Sequence, residues 1–543
     1  MVSAANAIRK ATQEQGRFPM PLEGLNYQVS LLTAPPTAAL LLDNMVPVSD
    51  GLEIRGGWRD WIPEASRFAN EVRTIIPFTA QVAANSRLFC STADAVGLVY
   101  NVSTLNAAPV LSLTPSTASA TPGEWYYTNF NTPGGSFLCM VSKGAGYYYY
   151  SAAGGWVEPT LTFPVGDTTT AKDFTFCWTW KNRLWFLKHN SAVAYYLPIS
   201  SISGALQSFD LSIQLVHGGS LTFALNWTYD SGRGIDDGLI FASTEGDVIV
   251  YQGTDPASIT TFSLQGTWYV GRFPMGRRCF VSLGGDVLLL TEYGITKMSD
   301  LVSGRLQGAA LGNTEDPYYK LNPKLGGFVA KYLDSKYWFL TSYPTDSLMI
   351  IGAPYVDANT GQSLSFLLSV IPKAWATISQ MDLLSGDLYY GKYMFGTRDG
   401  NVCQGFYGFK DGVSSDGLDL GAEITARIQT PFNDLGYNTL NKRLLRMKLY
   451  GLTDGMLAAT VKWVPEYDLL TQLSTIGAPS ADSSLWDVAV WDAAKWAAAQ
   501  FPVRRWIGIA GFGKKLSLLM AVRGQGYVLL SDYEILYETG YNL

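Results

Sequence analysis

One local pattern keeps returning between residues 71 and 415. It is a short apolar run, a small or hydroxyl residue, a polar turn often holding Gly, and a second apolar run that frequently ends in Tyr. Leu88-Phe89-Cys90-Ser91-Thr92 leads through a turn to Gly97-Leu98-Val99-Tyr100, and residues 137–141 lead through Lys143-Gly144 to the tyrosines at 147–150. Leu184-Trp185-Phe186-Leu187 is answered by Val193-Ala194-Tyr195-Tyr196. The clearest copy spans 238–244, turns at Glu245-Gly246-Asp247 and returns as Val248-Ile249-Val250-Tyr251. Later copies are 286–291 with Gly294-Ile295, 337–341 with 348–351, and 393–397 with the turn Asp399-Gly400 and Val402-Cys403. Gly between two apolar runs signals a hairpin for a steric reason: without a Cβ it enters the left-handed turn region freely.

About seven such hairpins, spaced roughly 45–56 residues apart, fall in the range of the longer propeller repeats. Most are preceded by a further apolar strand candidate, as at 72–78, 125–130, 174–180 and 221–228. Three or four strands make one blade, and blades packed face to face close a ring without long exposed edges. The expectation is a mostly β chain with an irregular β-propeller over 71–415, about seven blades preferred and six to eight within range. Stacked sandwiches compete with it, whereas a β-helix is disfavoured because its rungs are much shorter than this period.

Composition agrees. Only 15% of residues are charged, while Tyr (31), Phe (25), Trp (16) and Gly (54) are plentiful, a mixture suited to short strands and tight turns rather than long charged helices. The net charge of −6 argues against a protein that grips nucleic acid by its phosphates. It permits a channel wall along which DNA slides. No run approaches the ~20 apolar residues of a membrane helix, and the opening MVSAANAIRKATQEQGRFPMP lacks the apolar core of a secretory signal. A soluble, cytoplasmically made chain is expected.

After residue 415 the pattern changes. Strands are expected at 422–430, 442–450, 460–464, 517–522, 527–530 and 533–537, with a loop-like stretch over 474–484. Trp486, Trp491 and Trp496 match neither one helix face nor one strand face, and are expected to be aromatic anchors packed internally or docked on a partner. Residues 416–543 therefore form a separate antiparallel β domain, completed by residues 1–70 as one platform.

Catalytic signatures are scarce. The two histidines, His189 and His217, sit in turn-like sequences, and no Gly-x-Ser-x-Gly, HExxH, P-loop or EF-hand pattern accompanies them. Cys90, Cys139, Cys177, Cys279 and Cys403 are scattered through apolar stretches with no CxxC pair, which reads as small buried hydrophobes. Asp236-Asp237, Glu245/Asp247 and Glu315-Asp316 are acidic pairs by composition only, and solvated turns explain them. No catalytic residue, metal or cofactor is expected. The densest segment is 268–278, where Arg272, Arg277 and Arg278 lie in a Gly/Pro-framed turn. Such arginines serve either as an anion or intersubunit contact, or as ties between neighbouring blades. Because ring faces stack on sugars, an aromatic-rich propeller that binds or cleaves glycans is the alternative function.

From 238 to 300 the chain resembles podovirus-type phage tail proteins: Tyr251-Gln252-Gly253-Thr254-Asp255-Pro256, Gly271-Arg272 to Arg277-Arg278, Gly284-Gly285-Asp286 and Leu290-Thr291-Glu292-Tyr293-Gly294 carry the likeness. Asp43-Asn44-Met45-Val46-Pro47 with Arg55-Gly56-Gly57 resembles that family's N-terminal opening. The tryptophan run at 486–496, residues 508–517 and Tyr537-Glu538-Thr539-Gly540 resemble its C-terminus. The resemblance implies a tail nozzle or hub: a homo-oligomeric ring, typically of six copies, below portal and adaptor proteins, continuing the DNA channel and offering docking sites for fibres or tailspikes in the virion. It carries over no catalytic residues.

Overall fold

The computed structural model describes residues 12–30, 33–230, 235–258, 260–276, 278–304, 316–355, 363–465, 501–503 and 506–541. The chain is mostly β, 52% strand and 8% helix, in a six-bladed propeller arrangement with further sheets around it. Four four-stranded blades follow in chain order, beginning at Val72–Phe78, Tyr126–Thr132, Phe174–Trp180 and Leu221–Asp230. The fifth begins at Phe339–Tyr343 and the sixth at Ser385–Tyr389.

The preferred count of about seven repeat units resolves into six full blades and one smaller sheet. The repeat at 280–297 builds only three strands, because after Gly294–Lys297 the chain turns into the helix Met298–Val302 instead of a fourth strand. This sheet lies in the ring between the fourth and fifth blades, with Phe280 stacked on Phe223 at 5.0 Å. The hairpin turns behave as their residues dictate: Gly246, at φ +97°, has its Cβ position 2.4 Å from the carbonyl of Gly271, so a side chain fits neither the conformation nor the space.

Aromatics fill the seams between blades. Tyr126 meets Phe176 at 5.7 Å, Trp178 meets Phe241 at 5.7 Å, and Trp180 meets Phe262 at 5.4 Å. Each such pair adds about 0.5–1.5 kcal/mol beyond its area burial, which explains why a chain so low in charge is so rich in rings.

The ring closes through the N-terminus. Trp58–Asp60 is the fourth strand of the sixth blade's sheet, antiparallel to Val402–Gly405 and with Lys410–Val413 parallel on its outer side, and Val72 N–H of the first blade donates to Thr397 O of the sixth. Residues 1–70 are thus shared between propeller and platform rather than confined to the latter. Thr12–Pro19 pairs with Val528–Tyr541, whereas Leu41–Asp43 lies between Ala374–Ser379 of the fifth blade and Thr425–Gln429.

That last strand fuses the two regions. From the fifth blade the hydrogen bonding runs on through Leu41–Asp43, Thr425–Gln429, Leu516–Gly524 and Leu457–Pro465 as one ten-stranded sheet. A second sheet, seven-stranded and centred on Asn441–Thr453 and Val528–Tyr541, packs against it. Leu444, Trp463, Met520 and Ile535 lie in the core between them. Leu444, Met447 and Leu449 turn inward and Arg443 and Arg446 outward; a register shift between Leu444 and Arg446 leaves Leu445, which simple alternation with Arg446 and Lys448 would bury, only half-buried. Trp486, Trp491 and Trp496 lie outside the described residues.

Candidate functional site: the propeller axis and the joint

Of the three arginines in the 268–278 turn, Arg277 lies outside the described residues and the other two part company. Arg272 is half-exposed and pairs with Glu292 of the three-stranded sheet at 3.2 Å. Arg278 reaches the propeller axis. Its guanidinium stands 4.4 Å over the Tyr127 ring and donates to Trp125 O at 3.4 Å and Tyr127 Oη at 3.3 Å. Its Nη1 is also 3.9 Å from Asp387. Burial pushes the Tyr127 phenol well up, so it stays protonated and donates to the Asp387 carboxylate. Arg278 therefore ties the second blade to the sixth across the axis. Tyr127 and Asp387 had no signal in the sequence, since they are 260 residues apart.

This cluster divides the axis into two cavities. One, about 40 Å³, is lined by Arg73, Glu124, Lys336 and Tyr337. The other, about 240 Å³, is lined by Phe176, Phe280, Thr341 and Asp387. Both border Tyr126, Arg278 and Gly386. The smaller mouth is electrically balanced: Arg73 bonds Glu71 at 2.6 Å, and Lys336 bonds Glu124 at 3.0 Å. The first has room for only a water or two, and the second for nothing larger than a small molecule. A nucleic-acid duplex cannot thread a hub filled this way.

The other notable site is the joint between propeller and platform. Arg55, its side chain fully buried, uses all five of its N–H donors. Nε bonds Asn44 Oδ1 at 2.8 Å, Nη1 bonds Asp411 Oδ1 at 2.8 Å and Gly56 O at 2.9 Å, and Nη2 bonds Asp411 Oδ2 at 2.7 Å and Ser379 O at 3.1 Å. Asn44 sits at φ +57°, a conformation Asn tolerates better than most residues, and its amide donates to Ser379 Oγ and Thr425 O, both at 2.9 Å. A Cβ on Gly57 would lie 1.9 Å from Lys410 O, so only glycine lets the chain cross there. Burial raises the neighbouring Asp43 carboxyl, which accepts from Thr377 and Ser379 at 3.0 and 2.6 Å. The motif residues at 43–44 and 55–57 thus build a joint, not a binding site.

Several of the remaining candidates are engaged elsewhere, and Glu315 lies outside the described residues. Asp237 pairs with Lys181 at 2.6 Å, Asp316 pairs with Lys297, and buried Asp247 accepts from the His217 ring at 2.6 Å. His189 lies 2.7 Å from Lys143 Nζ. All five cysteines are buried and free. Among the described residues no group of three or more His, Cys, Asp or Glu could hold a metal, and no helix is long and apolar enough to cross a membrane.

No family model matches this chain, and no curated protein resembles it in sequence. Solved structures resemble it loosely. A computationally designed protein, Ika8, aligns at 10% identity and a TM-score of 0.33, over 64% of this chain and 99% of that one. BBS1N, crystallised in complex with ARL6DN, aligns at 10% identity and a TM-score of 0.40, over 65% of this chain and 98% of its own. Superpositions this loose have no bearing on function.

Proposed function

We propose that this chain is the nozzle or hub subunit of a short bacteriophage tail. It would assemble as a homo-oligomeric ring, of six copies as the family resemblance implies, below the portal and adaptor, retain the genome, conduct it at ejection, and offer docking surface to fibres. The observation that carries the reading is the joint. The residues through which the N-terminus resembles such tail proteins, Asp43-Asn44 and Arg55-Gly56-Gly57, lock the propeller to a platform made from both chain ends. A rigid two-part subunit suits a mechanical part. The filled axis supports the division of labour: DNA would pass through the centre of the ring, beside the propellers rather than through them.

The exposed face of the seven-stranded sheet carries Arg17, Arg443, Arg446 and Lys448 against Asp532, Glu534 and Glu538. A wall so nearly balanced offers phosphates little net attraction. Native mass spectrometry with negative-stain class averages, on the protein alone and mixed with portal–adaptor rings, tests the proposal. Closed rings, alone or on the adaptor, are expected, with little DNA affinity at physiological salt. A stable monomer that ignores those rings refutes it.

One observation favours the glycan-binding alternative. Trp227, Trp268, Gln252, Gln265, Gly238 and Val302 line a cavity of about 150 Å³ on the fourth blade, and an indole face flanked by amides suits a sugar ring. Binding of any host glycan that Trp268→Ala abolishes would support this reading; flat titrations across a glycan panel would remove it.

A further inference from the structure

Four strands follow one another in the seven-stranded sheet: Trp506–Gly513, Asn441–Thr453, Val528–Tyr541 and Thr12–Pro19. Every neighbouring pair is antiparallel. Because four is even, the two outermost strands run in opposite directions. Both are eight residues long. Among the described residues neither has a strand partner on its outer side.

Open edges are a liability that proteins blunt with charge, proline or cover. The edge of the other sheet, Leu457–Pro465, carries Lys462 and Pro465. Trp506–Gly513, with the sequence WIGIAGFG, carries neither. Its Trp506 and Phe512 are exposed at 36% and 42%. The opposite edge has its one proline, Pro19, at its end, and its charges are engaged within the subunit: Arg17 with Asp532 at 2.6 Å, and Glu14 with Tyr437 Oη of the loop before Asn441–Thr453 at 2.7 Å. One edge is therefore unguarded, and the other spends its charges on its own neighbours.

We infer that the Trp506–Gly513 edge of one copy pairs with the Thr12–Pro19 edge of the next, continuing the sheet from subunit to subunit. A rotation that keeps all copies pointing the same way lays these two strands side by side antiparallel, as every other neighbour in the sheet already lies. The contact joins unlike surfaces, so repetition closes a ring where the rotation divides a full turn and runs on as a filament where it does not; the adaptor beneath which the copies assemble would fix the former. A twofold contact would pair each edge with itself and stop at two copies. The inference rests on the ring reading above and names the surface that makes the ring.

Cysteine pairs test it, because the five native thiols are buried. Gln15→Cys is combined in turn with Gly508→Cys, Ala510→Cys and Phe512→Cys, outward-facing positions that cover the adjacent registers. The full chain is assembled on portal–adaptor rings and oxidised. At least one pair is expected to give a non-reducing gel ladder up to the full ring, which neither single variant gives. Rings that form without a ladder in any register overturn edge pairing and leave the ring standing. Dimers from Ala510→Cys alone show a twofold contact and overturn it as well. Absence of rings under every condition removes the nozzle reading, and edge pairing with it.

Discussion

Arg55→Met is the most informative single change. Arg55 has no exposed side-chain surface, and its partner Asp411 is only 10% exposed. Methionine fills much of the same volume, so the loss is chiefly electrostatic. The Asp411 carboxylate forfeits both arms of a bidentate pair, and the Gly56 and Ser379 carbonyls lose their arginine donors. Asn44 Oδ1 keeps the Ser379 N–H at 3.1 Å, so the damage centres on Asp411. Removing one member of a buried pair costs about 3–5 kcal/mol. With a urea m-value of ~3 kcal/mol/M, the unfolding midpoint falls by about 1 M or more. Asp411→Leu alone is expected to cost a similar amount. The double variant should recover at least ~2 kcal/mol relative to the sum of the two, because no uncompensated charge remains. Urea unfolding followed by tryptophan fluorescence reads all four corners of the cycle. A loss below ~1 kcal/mol for Arg55→Met, or simple additivity in the double variant, would refute the claim that this pair holds the joint.

Three further outcomes are expected. Burial, reinforced by Asp346 and Asp50, pushes Glu53 up to about 7; a raised carboxyl stabilises the fold fully below its ordinary value and loses that contribution as pH rises through 7. Melting temperature should therefore fall between pH 5 and pH 8, and Glu53→Gln should flatten that part of the profile; an unchanged slope contradicts the assignment. Arg278→Met should lower stability by about 1–2 kcal/mol, through the lost cation–ring contact and hydrogen bonds. It should leave assembly unaltered, as thermal unfolding and native mass spectrometry can check; a change in ring formation would instead make Arg278 an intersubunit contact. Burial pushes the Cys139 thiol up to about 12 and Cys90 higher still, so a thiol reagent should label none of the five cysteines in the folded protein and all five in denaturant; rapid native labelling of any one is inconsistent with the fold described.

The sequence showed most plainly what is local. Glu245-Gly246-Asp247 and Asp399-Gly400 are hairpin turns because Gly246 and Gly400 take φ of +97° and +79°, and the apolar runs beside them are blade strands. The sheet count was harder. The 280–297 repeat has the same hairpin signature as its neighbours, and only the helix that follows it withholds the fourth strand. Least legible were contributions of two or three residues from far away. Trp58–Asp60 and Leu41–Asp43 are too short for any period to register, yet one closes the propeller and the other welds it to the platform. For the same reason Arg55 was visible as a motif residue, whereas its partner Asp411, 356 positions away in Lys410–Val413, had no signal of its own. Of the arginine turn, the sequence marked Arg278 but not the tyrosine and aspartate it meets.

The closing strand has a consequence for the birth of the molecule. Asp60 accepts a hydrogen bond from Asn401, 341 positions later in the chain. At a ribosomal pace of ~5–20 residues per second, the N-terminal strand waits roughly 20–70 s before its partner emerges. Throughout that interval the first blade has an unsealed flank, and Thr12–Pro19 waits longer still, because its partner Val528–Tyr541 follows later in the chain. Blades two to four can form as they are synthesised, but the propeller locks only once Val402–Gly405 has emerged. A chain cut short before residue 402 would remain an open arc with its first blade unsealed, which makes the propeller's closure a checkpoint on synthesis of its sixth blade.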